Sequence, residues 1–215
     1  FGDLNHAKSR QHQRQNLQQL QSILAFKPDH ILCDQHPDYA SSLLAEEIAQ
    51  QEGVPVSTVQ HHQAHILAVM AEHGLSPPML GMAWDGLGWG PDSTLWGGEC
   101  LWVEKEGFSR WGHFRTFSLM GGEQCLKSPA RQAFCLLAHI LTPDELTHLD
   151  IPGLSSLSAQ QRKWIIDNIK KKHLAQETSS VGRLFDVVAA LLNLKHTVTF
   201  EAEAAMALEH CARQA

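Results

Sequence analysis

The sequence predicts an α/β fold in which a mixed sheet with helices is followed by an all-helical part. Three observations support this fold class. Short apolar segments alternate with helical periodicity over the first 84 residues, two apolar segments joined by a charged turn come next, and beyond residue 129 only helical periodicity remains. We therefore predict an α/β lobe over residues 1–120 and a mainly helical part over residues 121–215, with the boundary near two consecutive glycines.

A strand–helix–strand unit is predicted near the N-terminus. It follows an amphipathic helix over residues 9–26, where apolar residues recur at helical spacing in a glutamine-rich background. Residues 30–33 are a short apolar strand, residues 39–51 a helix that ends at Gly53, and residues 54–59 a second strand. Because short connections through a helix join parallel neighbours, we expect these two strands to pair in parallel.

The predicted alternation of strands and helices continues up to a glycine-rich segment. A helix over residues 61–73 precedes a strand over residues 79–84, which leads into a predicted loop over residues 85–90. Residues 95–103 and 109–116 then have the pattern of a β-hairpin. Four helices are predicted to complete the chain, over residues 129–141, 159–173, 181–194 and 201–213.

Composition excludes several classes of protein. The chain has 17 Lys and Arg against 23 Asp and Glu, and this net charge of −6 argues against sequence-independent binding of nucleic acids. No apolar run approaches the roughly 20 residues of a membrane-spanning helix. The five cysteines contain no CxxC pair, and we expect reduced thiols and a cytoplasmic location. The chain starts without methionine and ends inside a predicted helix, so we expect a longer protein.

A histidine pair is the first candidate for chemistry. His61 and His65 lie four residues apart on a predicted helix, so both imidazoles share one face and could bind one metal ion. Polar surface histidines are the alternative interpretation. A zinc-protease motif is excluded, because His62 stands where that motif has its glutamate base. Asp85 follows the next strand, and two imidazoles with one carboxylate are plausible ligands for a first-row metal.

Alternating glycines follow that aspartate. Gly86, Gly88 and Gly90 would let backbone N–H groups approach an anion closely, which predicts a phosphate site. A tight turn without a ligand is the alternative. Neither the dinucleotide-binding fingerprint nor a calcium loop fits, because the glycine spacing differs and the alternating acidic residues are missing.

Two later segments carry charged residues of interest. Lys127 and Arg131 surround a helix start after a glycine pair, where they form either an anion site or ordinary solvated charges. Asp186 lies among apolar residues of a predicted helix. A carboxylate there needs a partner, such as a ribose hydroxyl or an arginine, unless it faces solvent.

Seven segments in family order resemble the C-terminal carbamoyltransferase domain of the HypF family, which acts in [NiFe]-hydrogenase maturation. The segments are FGDL (1–4), HPDY (36–39), VQHHQAH (59–65), DGLGWG (85–90), WGGE (96–99), GRLFD (182–186) and EAEAA (201–205). They extend over almost the whole chain. Several of them are unusual, so together they make the resemblance specific.

The resemblance implies an actin-like ATPase (ASKHA-type) fold, related to the threonylcarbamoyl transferases that modify tRNA. It also implies a carbamoyltransferase: carbamoyl phosphate and ATP give carbamoyl adenylate, whose carbamoyl group passes to the C-terminal cysteine of HypE and becomes iron-bound cyanide. A divalent metal, zinc or iron, is implied at His61, His65 and Asp85.

The remaining roles follow from the matched positions. Asp85 resembles an active-site carboxylate as well as a metal ligand. Gly86, Gly88 and Gly90 resemble a loop that binds phosphate or carbamate, and Asp186 resembles a residue that contacts ribose. The acceptor thiolate comes from HypE in this scheme, so none of the five cysteines of this chain needs to be catalytic.

The sequence also departs from the family pattern. Ala202 stands where the family usually has glycine, which questions a close backbone approach to nucleotide there. The resemblance also implies that the family's first strand pair and its last portion, with another metal-ligating aspartate, lie outside this chain. We therefore expect the chain alone to bind metal and ATP weakly and to be inactive. Two alternative functions remain: a non-catalytic nucleotide-dependent docking module, or a relative that carbamoylates a tRNA base or a small-molecule hydroxyl.

Overall fold

The structure is a computed structural model that describes residues 4, 6–36, 38–171 and 174–214. Parts of three predicted segments, residues 1–3, residue 37 and the end of the helix over 159–173, lie outside the described residues. The chain divides into two compact units, Phe1–Ala64 and His65–Ala215. The two lobes predicted from sequence remain a prediction.

The first unit contains the predicted strand–helix–strand arrangement. Its elements are α1 (Ala7–Leu24), β1 (Ile31–Asp34), α2 (Ala40–Glu52) and β2 (Val56–Val59). Strands β1 and β2 pair in parallel, from Ile31 opposite Val56 to Asp34 opposite Val59, as predicted. The carboxyl ends of both strands therefore lie side by side. Helix α2 ends where Gly53 adopts a left-handed conformation with φ of 69°.

Helix α3 (His61–His73) begins directly after β2 and continues into the second unit. The other elements of that unit are β3 (Met79–Trp89), β4 (Leu95–Glu104), β5 (Gly107–His113), β6 (Phe117–Met120), α4 (Glu123–Leu126), α5 (Pro129–Leu137), α6 (Pro143–Thr147), α7 (Ala159–Asn168), β7 (Ala175–Thr178), α8 (Val181–Leu191) and α9 (Glu203–Gln214). No helix within the described residues is long and apolar enough to cross a membrane.

A five-stranded mixed sheet organises the second unit, in the order β3, β4, β7, β6 with β5 also paired to β4. The prediction of a loop over residues 85–90 is wrong, because most of that segment belongs to β3. The segment stays extended because Gly88 and Trp89 pair with Trp96 and Leu95 of β4. The pairing register shifts between Trp84 and Gly88, so residues 85–87 form an irregular bulge.

The prediction of helices alone after residue 129 is also wrong. Strand β7 lies there, paired in parallel with β4 through Thr178 and antiparallel to β6. Its sequence, Ala-Gln-Glu-Thr, has no alternation of apolar and polar residues, and only Thr178 is buried. Its strand conformation therefore depends on tertiary pairing, which the local sequence does not reveal.

The main core of the second unit lies between the sheet and helices α5 and α8. Phe134, Cys135 and Ala133 of α5 are completely buried and pack in one cluster with Val187 and Ala190 of α8. Burial of an aromatic side chain such as Phe134 stabilises the fold by about 1.5–3 kcal/mol. This core fixes the face of α8 that carries Asp186.

A buried ion pair connects three strands of the sheet. Glu99 of β4 is completely buried and accepts a hydrogen bond of 2.6 Å from Nε of Arg110 on β5. It also accepts from the hydroxyl of Ser179, which directly follows β7. Arg110 bonds Asp92 at 2.8 Å and lies over the Trp96 ring, 4.2 Å from its centroid. Burial raises the pKa of Glu99, but the Arg110 and Ser179 hydrogen bonds outweigh burial and lower it overall.

We expect Arg110→Leu to destabilise the protein by about 3–5 kcal/mol, because it leaves the buried Glu99 carboxylate without its cation. Urea unfolding at pH 7 measures the loss. Arg115→Leu is the matched control: Arg115 is exposed, and its removal changes the free energy of unfolding by no more than about 0.5 kcal/mol. Equal effects of the two variants would contradict a stabilising role for the ion pair.

The same ion pair gives a pH dependence. Since the pKa of folded Glu99 is lowered, its contribution to stability is fully present above the ordinary value of 4.5 and is lost as the pH falls through the lowered value. The stability difference between wild type and Arg110→Leu therefore narrows below about pH 4.5. Urea unfolding at several pH values checks this trend, and a difference that widens in acid would contradict it.

Candidate active site

The histidine pair lies in the first two turns of α3. Gln60, just before the helix, accepts hydrogen bonds from the backbone N–H groups of His62 at 2.8 Å and Gln63 at 3.0 Å. These bonds satisfy two first-turn donors that have no partner inside a helix, so they fix where α3 begins. One ring nitrogen of His61 lies within 4.8 Å of one ring nitrogen of His65, so the two could bind the same metal ion. The predicted sharing of one helix face is therefore present.

Asp85 lies in the bulge of β3 and faces α3. Its Oδ2 atom is 3.8 Å from Nε2 of His65, and its Oδ1 atom accepts the backbone N–H of Gly86 at 2.6 Å. The His65 side chain is 57% exposed and the Asp85 side chain 26% exposed, so the pair is open to a ligand. The structure thus brings together a carboxylate and an imidazole that are twenty positions apart in the sequence.

The bulge is held against the N-terminus of α8 by close backbone contact. The hydroxyl of Ser180 donates to the carbonyl of Asp85 at 3.2 Å and also bonds the carbonyl of Gly86. A side chain on Gly182 would come within 2.8 Å of the Gly86 Cα atom, and one on Gly97 would come within 2.7 Å of the Asp85 carbonyl oxygen. These glycines are therefore required for packing, whatever they bind.

The three glycines after Asp85 differ in their surroundings. Gly86 lies at the bulge, close to Glu201, whereas Gly90 packs against the indole of Trp96. None of Gly86, Gly88 and Gly90 has a left-handed φ. Extended strand does not form the concavity of N–H groups that cradles phosphate. Binding of phosphate or carbamate by these three glycines stays a prediction.

Asp186 lines a cavity of about 280 Å³ beside the bulge. Its Oδ2 atom is 3.0 Å from Nε of Arg183, one turn earlier on α8. Burial raises the pKa of Asp186 more than Arg183 and Gln132 lower it. The cavity walls also include Leu87 of β3. A nearly buried carboxyl beside a cavity is suited to bind a hydroxyl group.

The opposite wall of the cavity is the segment before α9. Glu203 holds this segment in place, because its carboxylate accepts from Nζ of Lys195 at 2.6 Å and from the backbone N–H of Thr199 at 2.7 Å. The Lys195 and Thr199 hydrogen bonds lower the pKa of Glu203 to about 2. Ala202 lines the cavity with a left-handed φ of 62°, a conformation that glycine adopts freely and alanine at a cost.

The two basic residues of the possible anion site have different surroundings. Lys127 lines the same cavity as Asp186. Arg131 instead lies against Gly121, where an added side chain would come within 2.7 Å of its guanidinium. Gly121 has a φ of 104°, so its lack of a side chain serves both the turn and the close approach of Arg131.

Sequence reasoning missed two charged residues beside the candidate site. Asp34, the last residue of β1, lies 3.2 Å from Nδ1 of His61. Arg183 pairs with Asp186 and lines the cavity. A usable signal existed for Asp34: parallel pairing places the ends of β1 and β2 together, and His61 follows β2 by two residues.

The sequence of the chain matches two models of one protein family. A family model described as the HypF Kae1-like domain matches residues 1–72, and a second, described as carbamoyltransferase, Kae1-like domain, second subdomain, matches residues 81–215. Carbamoyltransferase HypF of Synechocystis sp. is 40% identical over 97% of the chain, and HypF2 of Cupriavidus necator is 39% identical over 97%. The chain covers 28% and 25% of these relatives.

Solved structures agree with the sequence relatives. The crystal structure of T. kodakarensis HypF matches 99% of the chain with a TM-score of 0.87 and 30% identity, and the chain covers 29% of it. A crystal structure of full-length HypF in the phosphate- and nucleotide-bound form matches 97% with a TM-score of 0.83 and 31% identity, and the chain covers 26% of it. The predicted mixed α/β, actin-like ATPase-type fold is confirmed. As the sequence resemblance predicts, the chain belongs to the HypF carbamoyltransferase family.

Proposed function

We propose that this chain binds carbamoyl adenylate and transfers its carbamoyl group to the C-terminal cysteine of HypE. One observation carries the proposal: Asp85 and Leu87 are two residues apart on β3, and the first faces His65 while the second lines the cavity that contains Asp186. A polar cluster and a cavity of about 280 Å³ thus lie next to each other. We also propose a cytoplasmic location, because the proposed steps use ATP and carbamoyl phosphate.

The residues present fit a divalent metal. His61 and His65 offer imidazole nitrogens one helical turn apart, and Asp85 offers a carboxylate oxygen beside the second ring. Two nitrogens and one oxygen suit zinc or iron(II), and three protein ligands leave a coordination position for substrate. When bound, such an ion supplies Lewis-acid polarisation of the carbamoyl carbonyl.

The cavity residues are suited to hold the nucleotide. Asp186 accepts a hydrogen bond from a ribose hydroxyl, and Lys127 places a positive charge in the same cavity for the phosphate. Ala202 in the cavity wall has the left-handed conformation that glycine adopts freely, so the backbone shape is kept despite the methyl group. These contacts orient the acyl phosphate toward Asp85, which reduces the entropic cost of reaching the reacting geometry.

The transfer step is an acyl substitution. The HypE cysteine reacts as its thiolate, the form in which a thiol is nucleophilic. A bond forms between sulfur and the carbamoyl carbon, the bond from that carbon to the bridging oxygen breaks, and AMP leaves with the electron pair. In this scheme the chain supplies orientation and charge stabilisation, and its own cysteines take no part.

We expect one Zn²⁺ per chain to depend on the histidine pair. Metal analysis of the complete polypeptide after dialysis should show one fewer ion for His61→Ala plus His65→Ala than for wild type, because two of the three ligands that this chain is proposed to provide are lost. The control, His148→Ala plus His210→Ala, removes two exposed histidines and should bind as wild type does. Equal stoichiometry in wild type and the His61, His65 variant would show that these are not the ligands.

We expect Asp186→Asn to weaken ATP binding about 10- to 100-fold, because a hydrogen bond to a charged group contributes about 1.5–3 kcal/mol. Isothermal titration calorimetry of the complete polypeptide with ATP measures the ratio of Kd values. Asp167→Asn makes the same change on the exposed face of α7 and should leave the Kd unchanged. An unchanged Kd for Asp186→Asn would remove Asp186 from the nucleotide site.

We expect Asp85→Asn to lower carbamoyl transfer to HypE by about 100-fold or more, because it removes a carboxylate proposed to hold the metal ion that polarises the carbamoyl carbonyl. Asparagine keeps an oxygen that can accept the Gly86 N–H, so local structure is preserved. The assay uses the complete polypeptide and follows carbamoylation of HypE by mass spectrometry. Normal transfer together with normal HypE binding would instead support the docking-module alternative.

A further inference from the structure

We propose that Asp34 is a positioning residue that fixes the tautomer and ring orientation of His61 for metal binding. The proposal rests on the metal site proposed above. Asp34 touches neither nucleotide nor carbamoyl group in this scheme, and it acts through the imidazole that it contacts.

The contact is part of a fixed local arrangement. Oδ2 of Asp34 is 3.2 Å from Nδ1 of His61, and the Asp34 side chain is only 17% exposed. Its Oδ1 atom accepts the backbone N–H of His36 at 2.8 Å, and its carbonyl accepts the hydroxyl of Ser42 at 3.1 Å. The other oxygen of the carboxylate is therefore held by the backbone just after β1, while α2 holds the backbone of Asp34 in place.

Backbone pairing brings the two residues together. Asp34 ends β1 opposite Val59, the last residue of β2, and His61 begins α3 two residues later. The carboxyl ends of neighbouring parallel strands commonly hold functional side chains. The contact thus follows from the strand register and does not depend on a flexible surface pair.

The chemistry of the pair selects one nitrogen. A neutral imidazole has one N–H donor and one acceptor nitrogen, and an ionised carboxylate only accepts. Nδ1 of His61 therefore carries the proton toward Asp34, which leaves the lone pair of Nε2 for a metal ion. A carboxylate on the far nitrogen also raises the basicity of a ligating imidazole, and loss of such a partner typically costs 10- to 100-fold in metal affinity.

A direct test compares Asp34→Asn with Asp29→Asn in the full chain. Both variants remove one negative charge from the first unit, and Asp29 is exposed. Zn²⁺ affinity is measured by competition with a chromophoric chelator. We expect Asp34→Asn to bind Zn²⁺ about 10- to 100-fold more weakly with unchanged stoichiometry, and Asp29→Asn to bind as wild type does.

A second measurement does not depend on the affinity of any variant. Long-range ¹H–¹⁵N NMR of the metal-free chain reports which ring nitrogen of His61 carries the proton. We expect Nδ1–H in wild type and a larger Nε2–H population in Asp34→Asn, since the asparagine amide can donate to Nδ1. A residue that only stabilised the fold would not move this tautomer balance.

The outcomes separate this inference from the proposed function. If His61→Ala plus His65→Ala leaves Zn²⁺ binding intact, the metal site itself is wrong. If that variant loses the ion but Asp34→Asn matches Asp29→Asn, the site stands and Asp34 has no positioning role. Loss of the ion in Asp34→Asn as complete as in the histidine variant would make Asp34 a ligand, and would overturn the inference in that way.

Discussion

The close contact between the bulge of β3 and the N-terminus of α8 is the constraint on which both parts of the candidate site depend. Ser180 bonds the carbonyls of Asp85 and Gly86, and Gly182 lets the two backbones touch. The same contact sets where α8 begins, and hence where Asp186 lies along the cavity wall. A side chain at position 182 would come within 2.8 Å of the Gly86 Cα atom, so the bulge and the start of α8 would have to move apart.

The buried Glu99 stabilises this contact from the sheet side. Its carboxylate bonds Ser179, the residue before Ser180, and accepts the backbone N–H of Gly97 at 3.3 Å. Burying a carboxylate costs free energy, and a hydrophobic pair would often be as stable. The ion pair with Arg110 offsets that cost, and the hydrogen bond with Ser179 links β4 to the segment just before α8.

Much of this architecture could be predicted from sequence, and the failures have physical causes. The parallel β1 and β2 pair and the start of α3 follow from periodicity and helix-ending glycine. Strand β7 could not be predicted, because its four residues become a strand only through their partners. Residues 85–90 contain glycines typical of turns, yet most of this segment is strand because Gly88 and Trp89 pair with β4. Asp34 was missed because its contact with His61 depends on the register between two strands.

The register shift in β3 explains how one strand contributes residues to both parts of the candidate site. Between the pairs Trp84–Gly98 and Gly88–Trp96, β3 has three residues where β4 has one. Because side chains alternate along a strand, one extra residue would reverse every later side chain, whereas two extra residues preserve the alternation. The bulge therefore turns Asp85 toward α3 and leaves Trp89 in its proper pairing with β4. The two extra residues of β3 place the Asp85 carboxylate near His65, and the pairing of Trp89 with Leu95 beyond them is kept.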